Sequence, residues 1–384
     1  MSVDLPDFPW DSLAGAKARA GEHPGGIVDL SVGTPVDPTP QVIRDALAQA
    51  SDAHGYPQTW GTPDLREAVA SWFARRRGVP DLDPGGVLPT IGSKEMVAWL
   101  PTLLGARGCV AFPSVAYPTY DVGARLAGAT PRPVAGIEDF TDGPTPDVLW
   151  VNSPSNPTGR VAGVAELREL VTWARAHEVV VASDECYAEI DWRSTDERAE
   201  QAGADGPTVV PSILDPRVCD GDHTGLLVCY SLSKQSNLAG YRAAFAAGDP
   251  RLVGQLLEVR KHAGMMMPWP VQRAMLAALG DDAHVADQVE IYRRRRDQLV
   301  PAIEAAGGEI SHSRAGLYLW TTFARDSRAT VDALAELGIL VAPGHFYGEQ
   351  GERHVRIALT ATDERIAEAA GRLRHGPPIR ELRS

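Results

Sequence analysis

Residues 231–242 read S-L-S-K-Q-S-N-L-A-G-Y-R and follow directly on the apolar run Leu226-Leu227-Val228-Cys229-Tyr230. An unbroken apolar run of this length reads as a strand covered on both faces. Lys234 therefore stands just beyond the end of a buried strand, with serines one and three positions before it and Arg242 eight positions after it. A lysine in such a place is costly unless it is paired, neutral or covalently engaged. Its neighbours decide how the rest of the chain is read.

The same strand pattern recurs at Cys109–Phe112, Val148–Val151, Val179–Ala182 and Ala243–Ala247. Between these runs lie helical patterns at Leu65–Phe73, Met96–Leu104 and Leu167–His177. The alternation predicts an α/β fold whose mostly parallel sheet is sandwiched by helices. The C-terminal part differs, with a charged helix over Asp282–Ala306, strands at Leu317–Thr321, Gly338–Ala342 and Val355–Thr360, and helices near 329–337 and 363–373. That pattern predicts a smaller α+β domain. The expected division is an N-terminal segment 1–39 joining the small domain, a large domain 40–275 and a small domain 276–384. The run Arg293–Arg296 reads as a solvated helix face, and the tail from His375, H-G-P-P-I-R-E-L-R-S, as frayed.

Composition narrows the function classes. With 37 basic and 50 acidic residues the net charge is −13, which argues against nucleic acid or an anionic membrane surface as partner. Four scattered cysteines with no C-x-x-C read as reduced, packed thiols, and Cys219, His223 and Cys229 fit no zinc spacing. The start M-S-V-D-L-P-D-F-P-W lacks the basic and apolar regions of a signal peptide, and no apolar run is long enough to span a bilayer. These features predict a cytoplasmic protein. The chain contains no G-x-G and no G-K-[ST], so a nucleotide fingerprint is absent.

Three of the strand candidates end in unusual polar residues. Val148–Val151 runs into N-S-P-S-N-P-T-G, Val179–Ala182 into S-D-E-C-Y, and Leu226–Tyr230 into S-L-S-K. In an open parallel sheet the carboxyl ends of the strands line the ligand crevice. Asn156, Asp184, Tyr187 and Lys234 are thus expected in one cleft. Taken singly, Asn156 could be a turn residue, Asp184 a helix cap and Lys234 a surface residue; together at one edge they point to a site. Lysines so placed serve as Schiff-base nucleophiles, above all to pyridoxal 5′-phosphate (PLP). That cofactor needs a carboxylate at its ring nitrogen, which Asp184 supplies, and donors at its ring oxygen, which Asn156 and Tyr187 supply. Its phosphate needs backbone N–H groups and cations. Ser93 and Lys94 open a helix, a ready anion site, and Ser231 and Arg242 flank the lysine. Tyr117 is a candidate stacking ring.

The set G-Y-P-Q-T-W-G-T-P-D-L-R (55–66), G-S-K (92–94), N-S-P-S-N-P-T-G (152–159), S-D-E-C-Y (183–187), S-L-S-K…G-Y-R (231–242) and H-V-R-I-A-L (354–359) resembles the class I/II aminotransferases of PLP fold type I. Several such motifs in order are a far more specific signal than one. The resemblance implies that Lys234 carries the cofactor and moves the proton, while Asp184 pairs with the pyridine nitrogen. It implies that Asn156 and Tyr187 bind the ring oxygen, and that Ser93, Lys94, Ser231 and Arg242 bind the phosphate. It further implies that Arg356 and the backbone of Gly33 hold the substrate's α-carboxylate. Tyr56 would reach the phosphate of a neighbouring subunit in a homodimer. Asn152 and Ser233 carry no assigned role.

Further stretches, D-L-S-V-G-T-P-V-D-P, A-Y-P-T-Y-D-V-G-A-R-L-A-G-A and R-K-H-A-G-M-M among them, resemble the actinobacterial N-succinyldiaminopimelate aminotransferases. That resemblance implies small amino-acid and keto-acid substrates, with glutamate as donor, in lysine and diaminopimelate synthesis. No arginine for a distal carboxylate can be matched, and Lys261, His262 and the run Met265–Met267 stand in the corresponding region. Another aminotransferase or a carbon–sulfur lyase of the same fold is the alternative.

Overall fold

The computed structural model describes residues 5–140, 143–202 and 210–381. The strands among them are β1 Val28–Asp29, β2 Val87–Ile91, β3 Cys109–Pro113, β4 Thr130–Val134, β5 Val148–Asn152, β6 Val180–Asp184, β7 Leu226–Ser231, β8 Ala243–Gly248, β9 Glu309–Ser311, β10 Tyr318–Thr322, β11 Ile339–Leu340, β12 Ala342–Pro343 and β13 Val355–Ala358. Seven of these form one sheet in the order β2-β8-β7-β6-β5-β3-β4. Strands β4, β3, β5, β6 and β7 are mutually parallel, and β8 runs antiparallel to both β7 and β2. The two reversals cancel, so β2 runs with β7. The residues after β2, β3, β5, β6 and β7 therefore all emerge at one edge.

Every residue of β5, β7 and β8 is buried, because helices cover both faces of the sheet. Successive side chains point to opposite faces. Leu149, Val228 and Tyr230 enter one core with Trp72 and Phe73, while Trp150, Leu227 and Cys229 enter another with Met96, Leu100 and Tyr120. Burial on both sides is why these strands read as continuous apolar runs. Strands β2 (V-L-P-T-I) and β4 (T-P-R-P-V) escape that pattern, and both lie at the sheet's edges. Proline has no N–H for a ladder and is tolerated where one side needs no partner.

A second, antiparallel sheet has the order β12-β13-β10-β9, and β1 pairs in parallel with β11. The run Gly338–Ala342, expected as one strand, divides at Val341: Ile339 and Leu340 pair with β1, and Ala342 and Pro343 pair with β13. A third core joins Leu13 and Leu30 to Tyr292, Trp320, Leu334, Ile357 and Leu373.

Two further expectations are corrected. The arginine run is not simply a solvated face, since Arg295 is 2% exposed and binds Asp37 at 2.8 Å and Asp363 at 2.6 Å. A guanidinium withdrawn from water needs such partners. The tail is docked as far as residue 381, with Ile379 fully buried and its carbonyl accepting from Arg325 Nη1 at 2.6 Å. Met267 packs in the same core as Trp72 and Phe73. No helix among the described residues is long and apolar enough to cross a membrane.

One buried ion pair supports the sheet edge directly beside Asp184. Glu185 accepts from Arg77 Nη2 at 2.8 Å, from Ser183 and Ser212 hydroxyls at 3.0 and 3.1 Å, and from the Ile213 N–H at 2.9 Å. Both members of the pair are 1% exposed. Removing one partner of such a pair strands the other charge and costs roughly 3–5 kcal/mol. Arg77→Met should lower the urea unfolding free energy by about 3 kcal/mol at unchanged slope, and adding Glu185→Gln should restore part of it. An unshifted midpoint would show that the hydroxyl and amide donors suffice.

Candidate active site

At the carboxyl edge, β5 and β6 lie in register with Asn152 opposite Asp184. Asn152 Nδ2 donates to the Asp184 carbonyl at 3.0 Å and the Pro154 carbonyl at 3.2 Å, and its Oδ1 accepts from the Asn156 N–H at 2.7 Å. The Ser153–Pro154 and Asn156–Pro157 peptides are cis. Asn152, to which the sequence assigns no role, is thus a clamp that folds the S-P-S-N-P turn back over the neighbouring strand and sets Asn156 in place.

Asp184 is buried, and no cation pairs with it among the described residues. Its Oδ2 accepts from the Tyr120 hydroxyl at 3.0 Å and its Oδ1 from the Cys186 N–H at 3.2 Å. Burial raises the carboxyl above its ordinary range, and the hydrogen bonds from Cys186 and Tyr120 act against that rise. Tyr120 was missed at the sequence level. Its signal was the i, i+3 spacing from Tyr117, which puts the two rings edge-on at 6.1 Å.

Lys234 leaves the end of β7 half-buried, and its ammonium donates to the Gly33 carbonyl. Burial lowers its pKa, which favours the neutral, nucleophilic amine. Gly33 is required sterically, since a Cβ there would come within 2.0 Å of the Tyr318 hydroxyl. Tyr318, also unforeseen, shares a hydrogen bond of 3.0 Å with the Tyr187 hydroxyl. Burial works to raise the Tyr318 hydroxyl, but the charges of Arg356 and Lys234 outweigh it and leave the hydroxyl more acidic than usual.

Arg356 comes from β13, an interior strand of the second sheet, and is 3% exposed. It donates to Asn156 Oδ1 at 3.0 Å and to the Ser31 carbonyl at 2.7 Å, and lies 3.9 Å over the Tyr318 ring. Its partners are neutral, so the charge is held without being cancelled.

The other end of the cleft suits an anion. Ser93 begins the helix Ser93–Leu103, whose first-turn N–H groups have no intrahelical acceptors. Ser231 Oγ donates to Ser233 Oγ at 2.8 Å, which gives Ser233 a place in the same hydroxyl cluster. The exposed Arg242 side chain lies so close to Gly92 that a Cβ there would meet its Nη2 at 2.1 Å. Lys94 follows Ser93 in that helix, and its ammonium stands 5.4 Å over the ring of Phe8. In all, Gly33, Ser93, Lys94, Tyr117, Asn156, Asp184, Tyr187, Ser231, Lys234, Arg242 and Arg356 line one cavity of about 430 Å³. Tyr56 lies outside it and is 96% exposed.

The sequence pattern described as aminotransferase class I and II matches residues 26–373. The chain belongs to that family. It is 57% identical over 376 residues to the probable aminotransferase Rv1178 of Mycobacterium tuberculosis, covering 97% of this chain and 86% of the relative. It is 56% identical over 372 residues to the 4-dedimethylamino-4-oxo-anhydrotetracycline transaminase OxyQ of Streptomyces rimosus, covering 96% and 99% of the two chains. A solved probable N-succinyldiaminopimelate aminotransferase from Thermus thermophilus superimposes with a TM-score of 0.81 at 30% identity, covering 96% and 99%.

Class I and II aminotransferases are PLP-dependent, and the residues of this aminotransferase fit the group. Asp184 is a buried carboxylate awaiting a cation, Lys234 an amine with a lowered pKa, and Arg242 with the helix N-terminus an anion seat. Tyr120→Phe should remove a charge-assisted hydrogen bond, typically about 1.5–3 kcal/mol. Activity at neutral pH should then fall about tenfold. Because Tyr120 helps keep Asp184 ionised, the acid limb of the pH–rate profile should also move to higher pH. An unmoved acid limb would make Tyr120 a packing residue only.

Proposed function

We propose that this PLP-dependent aminotransferase converts N-succinyl-2-amino-6-ketopimelate to N-succinyl-LL-2,6-diaminopimelate with glutamate as amino donor. The observation that carries the reading is Arg356, a buried cation held by neutral partners in the same cleft as Lys234, the arrangement an α-carboxylate needs beside a proton carrier. The motif resemblance and the Thermus thermophilus structure support the substrate. A second reading, amination of a polycyclic ketone, is favoured by the 56% identity to the Streptomyces rimosus transaminase.

Bound PLP supplies an aldehyde for the amino group and an electron-accepting ring. The chain does the rest. Arg356, with the Gly33 backbone beside it, fixes the α-carboxylate and so the orientation of the α-carbon. Lys234 Nζ, whose pKa is lowered by burial, takes the α-proton and returns it. Asp184 holds a proton on the ring nitrogen. Asn156 spends its carbonyl on Arg356, which leaves its NH₂ as the donor to the ring oxygen, joined by the Tyr187 hydroxyl. Ser93, Ser231, Arg242 and the N–H groups of the helix hold the phosphate. The reading includes a homodimer in which Tyr56 reaches across to the phosphate of a second copy, and its exposure on the single chain supports that.

The test is a half-reaction followed by cofactor absorbance, using N-succinyl-LL-diaminopimelate, glutamate, aspartate and unsuccinylated diaminopimelate in turn. Fast conversion by the first two alone is expected; conversion by others but not the succinylated compound would contradict the pathway. Arg356→Ala should raise KM at least tenfold for every amino acid, because all share the α-carboxylate. An unchanged KM would remove Arg356 from substrate binding.

A further inference from the structure

The cleft opens into a second cavity of about 700 Å³, and Phe8, Trp10, Lys94 and Tyr117 belong to the walls of both. Farther out its walls are largely apolar, with Phe112, Phe346 and Tyr347 facing the segment around Phe8. Two of these walls also flank the anchor of the cleft, since Arg356 lies 5.9 Å from the Trp10 ring and 5.1 Å from the Tyr347 ring. The outer chamber therefore begins within about 6 Å of the Arg356 guanidinium.

Among the described residues, Lys94 is the sole cation on the outer walls. It pairs with no carboxylate among the described residues, and its ammonium stands over Phe8 where the two cavities meet. The carboxylates on the same walls are Asp7, Asp121 and Glu349, and Asp121 is bound to Arg125 at 2.7 Å. The chamber therefore offers room, apolar surface and one positive charge, in a setting that repels further negative charge. Glutamate's short side chain would fill little of it.

Building on the aminotransferase reading, we infer that this outer chamber is the side-chain subsite, built for a long, weakly polar acyl-type chain with one terminal anion, which Lys94 binds beside Phe8. Each methylene buried there should raise affinity about fourfold.

The PLP-loaded enzyme would be compared on L-2-aminobutyrate, Nε-butyryl-L-lysine and Nε-succinyl-L-lysine, two acyl chains of equal length of which only one ends in a charge. The expected half-reaction kcat/KM rises at least tenfold from aminobutyrate to the butyryl compound and about tenfold again to the succinyl compound. Lys94→Met should bring the succinyl-to-butyryl ratio close to one through KM. Phe8→Ala should cut the butyryl-to-aminobutyrate ratio severalfold. Equal rates for long and short compounds, or a succinyl preference that survives Lys94→Met, would overturn the inference. Loss of bound cofactor in Lys94→Met, read from absorbance, would place Lys94 on the phosphate and also overturn it. The two readings separate cleanly: if Nε-succinyl-lysine behaves as expected while N-succinyl-LL-diaminopimelate is not converted, the pathway falls and the chamber stands. Conversion of the latter with Lys94→Met silent on both compounds means the reverse.

Discussion

Asp184 is a carboxylate taken out of water at the end of a buried strand, with a tyrosine hydroxyl and one backbone N–H as its hydrogen-bond donors and no cation beside it among the described residues. Such a group is stable as an anion only if a positive charge arrives. Around it the same condition repeats with the signs reversed. Lys234 is desolvated against a backbone carbonyl, and Arg356 is buried against an amide oxygen, a carbonyl and an aromatic ring. No two of the three neutralise one another. A pyridinium, an aldehyde and a carboxylate would satisfy all three at once, which is the arrangement the proposed function requires.

The fold supplies this arrangement through strand direction. Because β2 and β7 run the same way through an intervening reversed strand, the helix N-terminus at Ser93 and the lysine at 234 reach one edge from positions far apart in sequence. Arg356 enters from the other sheet altogether, and its bond to Asn156 ties the two sheets together inside the cleft. The proposed substrate anchor and an inter-sheet contact are therefore the same residue. Its displacement by weak packing of the second sheet would be felt first in substrate binding.

What could be read from the chain follows from which forces leave a periodic trace. Strands buried on both faces show as apolar runs, so β3, β5, β6, β7 and β8 were legible, and the polar residues at three of their ends disclosed the cleft. The edge strands β2 and β4 were not, because edge positions tolerate the prolines that erase the pattern. Val341 divides an apolar run between two sheets, a change of partner that no local pattern encodes. Arg295 looked like one more surface charge because its partners, Asp37 and Asp363, are remote in sequence. Within the site, the residues proposed to meet the cofactor or substrate carried motifs, whereas those that position them did not. Tyr120, Tyr318 and the clamp at Asn152 act only through contacts made in three dimensions, and the aromatic pair Phe8 and Trp10 sat in a segment with no periodicity at all.

The central claim is that Lys234 is the residue that holds the cofactor covalently. The chain has four lysines, Lys17, Lys94, Lys234 and Lys261, so the claim has a small and definite set of rivals. Borohydride reduction of the yellow enzyme, followed by proteolysis and mass spectrometry of the peptides, reads the attachment point directly. The account predicts a reduced pyridoxyl phosphate on the peptide containing Lys234 and on no other, at close to one per chain. A label on Lys94 or Lys261, or an equal spread over the exposed lysines, would contradict it.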